Sequence, residues 1–377
     1  VLDVAIVGGG PVGSAVAVLA AGSGLSIAIF EAREKPSGDR RILALSQASR
    51  ERLEEARAWP AQDATPIASI HISQRGGPGR TLLTAAEQGL PALGYTVPYG
   101  ALEDALGRRL AELGVELRRG AACEAISLAP DAATLRLSSG EEASARLLVI
   151  ADGGASAAKI PGIAFAEKDY GQQAIVGPVR TDRPHGGRAY ERFTPQGPLA
   201  LLPVRERYAL VWTAAPERAA ELLALPETEF LERLQEAFGD RAGRFTAIES
   251  RGAFPLRLRS VNTPVALRTA IVGNAAQALH PVAGQGLNLG LRDAAALADR
   301  LRASPESAGS REMLDAYREA RRRDATRGIA FTDFLVSIFS EAGRIPTWGR
   351  GLALAAFDLV PPARRLLAER MIHGAPT

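Results

Sequence analysis

The 377-residue chain is 46% hydrophobic and 23% charged, the balance of a soluble globular protein with a sizeable core, which excludes extended disorder as its main state. Its 45 Lys and Arg against 42 Asp and Glu leave a formal charge of +3, and no basic tract is interleaved with aromatics, so nucleic acid is not an expected partner. A single cysteine, Cys123, excludes an intrachain disulfide and any paired-cysteine metal or redox motif.

Residues 2–7 read as a buried strand, and residues 11–22 as a helix of small residues with Pro11 in its first turn. A second strand at 26–30 ends at Glu31, completing a βαβ unit. Because a strand begins at once, with no basic and apolar leader before it, and no apolar run reaches the ~18 residues needed to span a bilayer, the expected location is cytoplasmic. Apolar positions at 102, 105, 106, 110 and 113 predict a helix over 101–113, and 145–151 a further buried strand closing on Asp152-Gly153. Alternating runs at 67–73, 188–194, 198–204, 208–213 and 248–258 predict a mostly antiparallel sheet, interrupted by a helix over 227–238. Helical patterns return from Gly286 to about 302 and from 311 to 339, and another stretch covers 348–371.

The predicted fold class is thus α/β: a Rossmann-type nucleotide-binding domain, assembled from 1–65, 99–170 and 266–340, with an inserted, mostly antiparallel β-sheet domain (66–98 and 171–265) and C-terminal helices (341–377). In that last stretch Trp348, Leu352, Leu359, Leu366, Leu367 and Met371 alternate with arginines. The pattern suits a peripheral anchor on a membrane surface and, equally, helices packed on the nucleotide-binding domain.

Three glycine-bearing segments carry the chemistry. Gly8-Gly-Gly10-Pro-Val-Gly13 follows a strand and opens a helix; Gly8 makes the turn, Gly10 admits a pyrophosphate and Gly13 allows the helix to pack on the strand. Glu31, at the end of the next strand, can accept hydrogen bonds from a ribose diol, and its charge disfavours a 2′-phosphate. Asp152-Gly153 closes a later strand. Gly273-Asn274 ends another, and Gly284-Gln285-Gly286 then opens a helix whose unpaired N–H groups and positive dipole end suit an anion. The histidines, at 71, 185, 280 and 373, show no metal-ligand spacing, and no metal is expected.

In this order the segments resemble the flavoprotein aromatic hydroxylases with the para-hydroxybenzoate hydroxylase fold. Arg41-Ile-Leu-Ala-Leu-Ser46, Arg188-Ala-Tyr-Glu-Arg-Phe-Thr-Pro-Gln-Gly-Pro-Leu-Ala-Leu-Leu-Pro203 and Val272-Gly-Asn-Ala-Ala-Gln-Ala-Leu-His-Pro-Val-Ala-Gly-Gln-Gly-Leu-Asn-Leu-Gly-Leu-Arg-Asp293 are similar to the ubiquinone-biosynthesis branch, above all its polyprenyl-methoxyphenol hydroxylases. The resemblance implies FAD, with NADH or NADPH as transient reductant, and hydroxylation of a polyprenylated phenol by O2 through a C4a-hydroperoxyflavin. It places Gly8, Gly10, Gly13 and Glu31 on the ADP half of FAD, Arg41 near the pyrophosphate and ribityl region, and Asp152 and Gly153 in a motif serving FAD and the nicotinamide cofactor. Gly273 and Asn274 fall at the ribityl chain. Pro281 and the backbone of Gly284, Gln285, Gly286, Leu287 and Asn288 fall at the isoalloxazine ring, and His280, beside Pro281, is a candidate base. Asn274 stands where the wider superfamily has aspartate, Lys159 where the Asp-Gly motif usually ends in arginine, and no side chain at Gly100-Ala101 can reach the flavin phosphates. Alternatives of a sibling hydroxylase acting on another ring position or phenol, and of a non-catalytic scaffold among other ubiquinone-biosynthesis enzymes, follow from the same resemblance.

Overall fold

A computed structural model describes residues 1–76, 80–278 and 285–339. The expectations for His280, Pro281, Gly284 and the segment 341–377 lie outside the described residues.

The parallel part of an eight-stranded sheet runs in the order Thr269–Ile271, Glu142–Ile150, Leu2–Val7, Ile27–Glu31 and Glu116–Arg119. Leu2–Val7, Ile27–Glu31 and the second half of Glu142–Ile150 are near-continuous aliphatic runs, as strands buried on both faces must be, whereas the edge strand Glu116–Arg119 is mostly charged. One face carries Val4, Ile6, Ile29, Leu147 and Val149 into a core with the helices Pro11–Ala20, Tyr99–Glu112, Gln285–Ala303 and the first part of Arg311–Phe339. The other face carries Ala5, Val7, Phe30, Leu148 and Ile150 under an antiparallel flap, Cys123–Leu128 and Ala133–Leu137.

A nine-stranded, mostly antiparallel sheet follows, in the order Gln277–Ala278, Gly252–Val261, Phe165–Thr181, Arg207–Ala214, Gly197–Val204, Arg188–Thr194, Ser69–Gln74 and Arg80–Thr84. One of its faces is packed by the helices Pro216–Ala224 and Glu227–Phe238 around Tyr208, Leu210, Trp212, Phe230 and Phe238. The run expected over 248–258 is two strands, Phe245–Ile248 and Gly252–Val261, both paired to Phe165–Thr181. Glycine is required where they part, since a Cβ on Gly177 would sit 2.6 Å from the Ser250 carbonyl oxygen.

Sheet membership also departs from the expected segment limits. Within 66–98 only Ser69–Gln74 and Arg80–Thr84 join the large sheet, because Gly94–Pro98 pairs with Ile42–Leu45 and Thr65–Ile67 in a separate three-stranded sheet. At the other limit the large sheet already begins at Phe165 rather than 171. Among the described residues no helix is long and apolar enough to cross a membrane.

Candidate functional site

Gly8, Glu31, Asp152 and Gly273 all lie at or just beyond the carboxyl ends of neighbouring parallel strands, where open α/β sheets bind their ligands. The turns touch one another. A Cβ on Gly8, whose φ is +106°, would lie 2.7 Å from Ala151 and the Asp152 nitrogen, and one on Gly154 would lie 3.6 Å from the Ala275 Cα.

The glycines fall into two groups. A Cβ on Gly13 would stand 2.0 Å from the Gly8 carbonyl oxygen, and one on Gly290 2.8 Å from Val12 and 3.0 Å from the Gly273 Cα, so these positions are glycine because helices and turns of the protein pack there. Gly10 and Gly286 have no such reason. Among the described residues, an added Cβ at Gly10 would meet only the Tyr99 hydroxyl, at 3.6 Å, and at Gly286 only Asn274 Oδ1, at 4.0 Å. Their missing side chains face open space, a cradle that a Cβ would fill. The helix Pro11–Ala20 has Gly10 as N-cap, with no side-chain cap on its N–H groups. Bare amides at a helix start beside an unfilled glycine surface fit a pyrophosphate.

These two groups predict opposite mutant behaviour. Gly13→Ala is expected to destabilise the fold by roughly 2–3 kcal/mol through overpacking. Gly10→Ala, at an ordinary φ of −69°, is expected to change stability by about 1 kcal/mol or less while weakening FAD binding at least about tenfold. Urea unfolding and flavin titration of the two variants check both.

Glu31 is buried. Its Oε2 accepts from the Gly9 N–H at 2.7 Å, and its Oε1 from the Arg33 backbone N–H at 2.9 Å and from Arg33 Nε at 2.8 Å. Burial pushes this carboxyl up, but the donors from Arg33 and Gly9 outweigh it and hold it below its ordinary range. Arg33 Nη2 adds a fourth, longer contact to Oε2 at 3.3 Å, so a hydroxyl reaching this carboxylate would displace that one. Arg41 is exposed, with its guanidinium on Asp39 (Nε to Oδ2, 2.8 Å) and 5.7 Å over the Tyr99 ring, so that Tyr99 bridges Arg41 and Gly10. A phosphate drawing on Arg41 would compete with Asp39.

Asp152 accepts from the Gly154 and Ser156 N–H groups, at 3.0 and 2.9 Å, and thereby shapes the loop containing Gly153 (φ +77°). Lys159 donates to the Cys123 carbonyl, tying that loop to the antiparallel flap. Asn274 is exposed at the tip of its turn. Leu287 is partly buried against the main core. Asn288 does not offer its side chain to a ligand: Oδ1 accepts from the Ser46 N–H and the Ser49 hydroxyl, both at 2.8 Å, and Nδ2 donates to the Ala44 carbonyl at 2.9 Å. It fastens the glycine-rich helix to the strand Ile42–Leu45.

Two supporting residues carry no sequence expectation. Tyr99 closes the space beside Gly10. Asp293, 2% exposed, accepts from the Gly273 N–H (3.0 Å), Gln277 Nε2 (2.7 Å) and Arg321 Nε (2.7 Å). Its signal in the sequence is a carboxylate on the apolar stripe of a helix.

The comparisons with known proteins agree with this geometry. Residues 1–332 match the model of the FAD binding domain family, and the chain belongs to that family as an FAD-dependent monooxygenase with the para-hydroxybenzoate hydroxylase fold. Within it, the chain is 36% identical to the ubiquinone hydroxylase UbiL of Rhodospirillum rubrum, over 97% of this chain and 88% of that one. It is 34% identical to the 3-demethoxyubiquinol 3-hydroxylase of Escherichia coli, over 85% and 86% of the two chains. The fold is also that of the p-nitrophenol 4-monooxygenase PnpA of Pseudomonas putida, with a TM-score of 0.79, 20% identity and coverage of 100% and 99%.

Proposed function

We propose that the chain hydroxylates a polyprenylated methoxyphenol in ubiquinone biosynthesis, with FAD as resident cofactor, NADH or NADPH as reductant and O2 as co-substrate. Bound flavin supplies the activation of O2 and its transfer to the electron-rich ring. The protein's task is to hold the ring against the flavin and keep water out. On this reading the parallel sheet holds FAD at Gly8, Gly10, Gly13, Glu31, Asp152 and Gly273, with Asn274 at the ribityl chain and the helix start from Gln285 at the ring, while the nine-stranded sheet holds the phenol. A cytoplasmic protein working at the membrane surface suits so apolar a substrate.

The observation that carries the reading is the face of the nine-stranded sheet turned away from the helices Pro216–Ala224 and Glu227–Phe238. Opposite its helix-packed face lie Ile72, Phe193, Val176, Ala200, Val211 and Phe254, buried or half-buried apolar side chains that belong to none of the three packed cores. This face is joined to the dinucleotide site at two places. Gln277–Ala278, just after the Gly273 turn, pairs with Arg259 and Ser260 at the sheet's edge, and Thr96 donates to the Pro203 carbonyl from the small sheet that Asn288 holds. An apolar wall beside a flavin cradle is what a greasy phenol needs.

The test is reconstitution with FAD, followed by NADH and NADPH oxidation, O2 uptake and product mass with a short-chain prenyl-methoxyphenol. Phenol-dependent oxidation with a gain of one oxygen atom is expected. Hydroxylation at another ring position would move the protein to a sibling specificity, and failure to bind FAD would leave a scaffold.

A further inference from the structure

Amid the apolar side chains of the face described above stands a carboxyl, Glu191. Strand register places Ile72, Glu191, Ala200, Val211 and Val176 in one row across Ser69–Gln74, Arg188–Thr194, Gly197–Val204, Arg207–Ala214 and Phe165–Thr181. The neighbours of Glu191 on its own strand, Tyr190 and Arg192, point the other way: Tyr190 stacks on Phe238, and Arg192 donates to the Ala237 carbonyl. Glu191 therefore stands on the face turned away from the helices Pro216–Ala224 and Glu227–Phe238.

Strand Ser69–Gln74 presents Ile70, Ile72 and Gln74 on that face, and Gly197–Val204 presents Pro198, Ala200 and Leu202, none of them titratable. His71 and Arg188 lie with Tyr190 on the opposite face, as does Arg241, whose carbonyl accepts from the Tyr190 hydroxyl. Arg180, Arg207 and Lys168 share the face of Glu191 by register, but the two arginines are engaged with Glu249 at the far end of the sheet and Lys168 lies over the Tyr170 ring. Among the described residues no hydrogen bond or ion pair reaches Glu191, although part of its surface is still accessible. A carboxyl set among aliphatic side chains with no partner costs stability, which asks for a function.

On the basis of the hydroxylase reading, we infer that Glu191 is the hydrogen-bond acceptor and proton acceptor for the phenol hydroxyl of the substrate. As the ring takes up oxygen from O2 activated by the flavin, the phenol O–H bond breaks. Its proton passes to a Glu191 carboxylate oxygen, and its electron pair stays on the phenol oxygen and feeds the ring. Burial alone pushes this carboxyl up to about 7, near the pH at which a general base is most effective.

The experiment uses FAD-loaded full chain, with a short-chain prenyl-methoxyphenol as substrate and a nitro-substituted analogue, ionised at pH 8, as a coloured binding probe. Wild-type kcat/KM is expected to fall tenfold per pH unit below about 7. In Glu191→Gln that limb disappears and kcat drops about 10²- to 10⁴-fold, while Glu191→Asp recovers part of the loss. The ionised nitrophenolate, repelled by the wild-type carboxylate, binds Glu191→Gln about tenfold more tightly. Unchanged pH dependence in Glu191→Gln, or equal nitrophenolate affinity in the two proteins, overturns the assignment while leaving the hydroxylase reading intact. A wild-type protein that turns over no phenol defeats that reading, and the Glu191 role falls with it if the nitrophenolate also binds both proteins alike.

Discussion

Asp293→Ala is expected to destabilise the protein by about 3–5 kcal/mol and to release FAD, although Asp293 touches no ligand. All the contacts made by its carboxylate are from donors: the Gly273 N–H, Gln277 Nε2 and Arg321 Nε. Burial pushes the group up, but a carboxyl whose two oxygens accept from three donors, one of them a guanidinium, acts as the anion. Among the described residues, removing it leaves Arg321, 6% exposed, with only Asp324 at 2.7 Å, a residue already shared with Arg292. Breaking a buried pair from one side carries the penalty quoted. The same cut frees the Gly273 amide, and with it the turn that presents Asn274 beside the helix start at Gly286. Arg321→Met added to Asp293→Ala is expected to recover part of the stability, because the stranded charge is gone, yet not the FAD affinity, because the Gly273 amide is still unpaired. Denaturant unfolding and flavin titration of both single variants and the double variant measure the coupling. Additive losses would show that Asp293 and Arg321 do not act as a pair.

How much of this was legible beforehand differs by element, for physical reasons. The βαβ unit and its glycines could be read because a strand buried on both faces is a continuous aliphatic run and because Gly8 makes a turn and Gly13 a helix contact at fixed spacing, with Gly10 left open between them. The strand Phe165–Thr181 could not be read to its full length. It contains Gly171, Gly177 and Pro178, which ordinarily interrupt strands, and most of its first half is exposed. Only its partners, Gly252–Val261 on one side and Arg207–Ala214 on the other, make it a strand. The flap Cys123–Leu128 and Ala133–Leu137 and the short helix Gln47–Glu55, capped by Ser46 on the Ser49 N–H, likewise depend on neighbours remote in sequence. At the site, the backbone of Asn288 was expected at the ring, and the tie its side chain makes to Ala44, Ser46 and Ser49 could not be read, because those partners are some 240 residues away. Glu191 sat unremarked inside a long motif, since its meaning is which face of a sheet it occupies.

That position has a thermodynamic consequence separable from catalysis. Glu191→Gln is expected to make the protein more stable at pH 8, by roughly 2–3 kcal/mol, with the gain shrinking below about 1 kcal/mol at pH 5. Burial raises the folded-state pKa from 4.5 to about 7, and in the unfolded chain the group returns to its ordinary value. Below pH 4.5 both states hold the proton and the site costs nothing beyond a buried neutral acid. Between 4.5 and 7 the unfolded chain ionises while the folded one resists, so wild-type stability is progressively lost as pH rises, and above 7 the loss is complete and constant. Glutamine keeps the shape of the neutral acid and removes the slope. Urea unfolding of both proteins at pH 5, 6.5 and 8, without flavin or phenol, reads this directly, and parallel curves across that range would show that the carboxyl is solvated or paired in the folded protein. A substitution that stabilises the fold while removing the acid limb of the rate profile would identify Glu191 as a group kept for chemistry at the expense of stability.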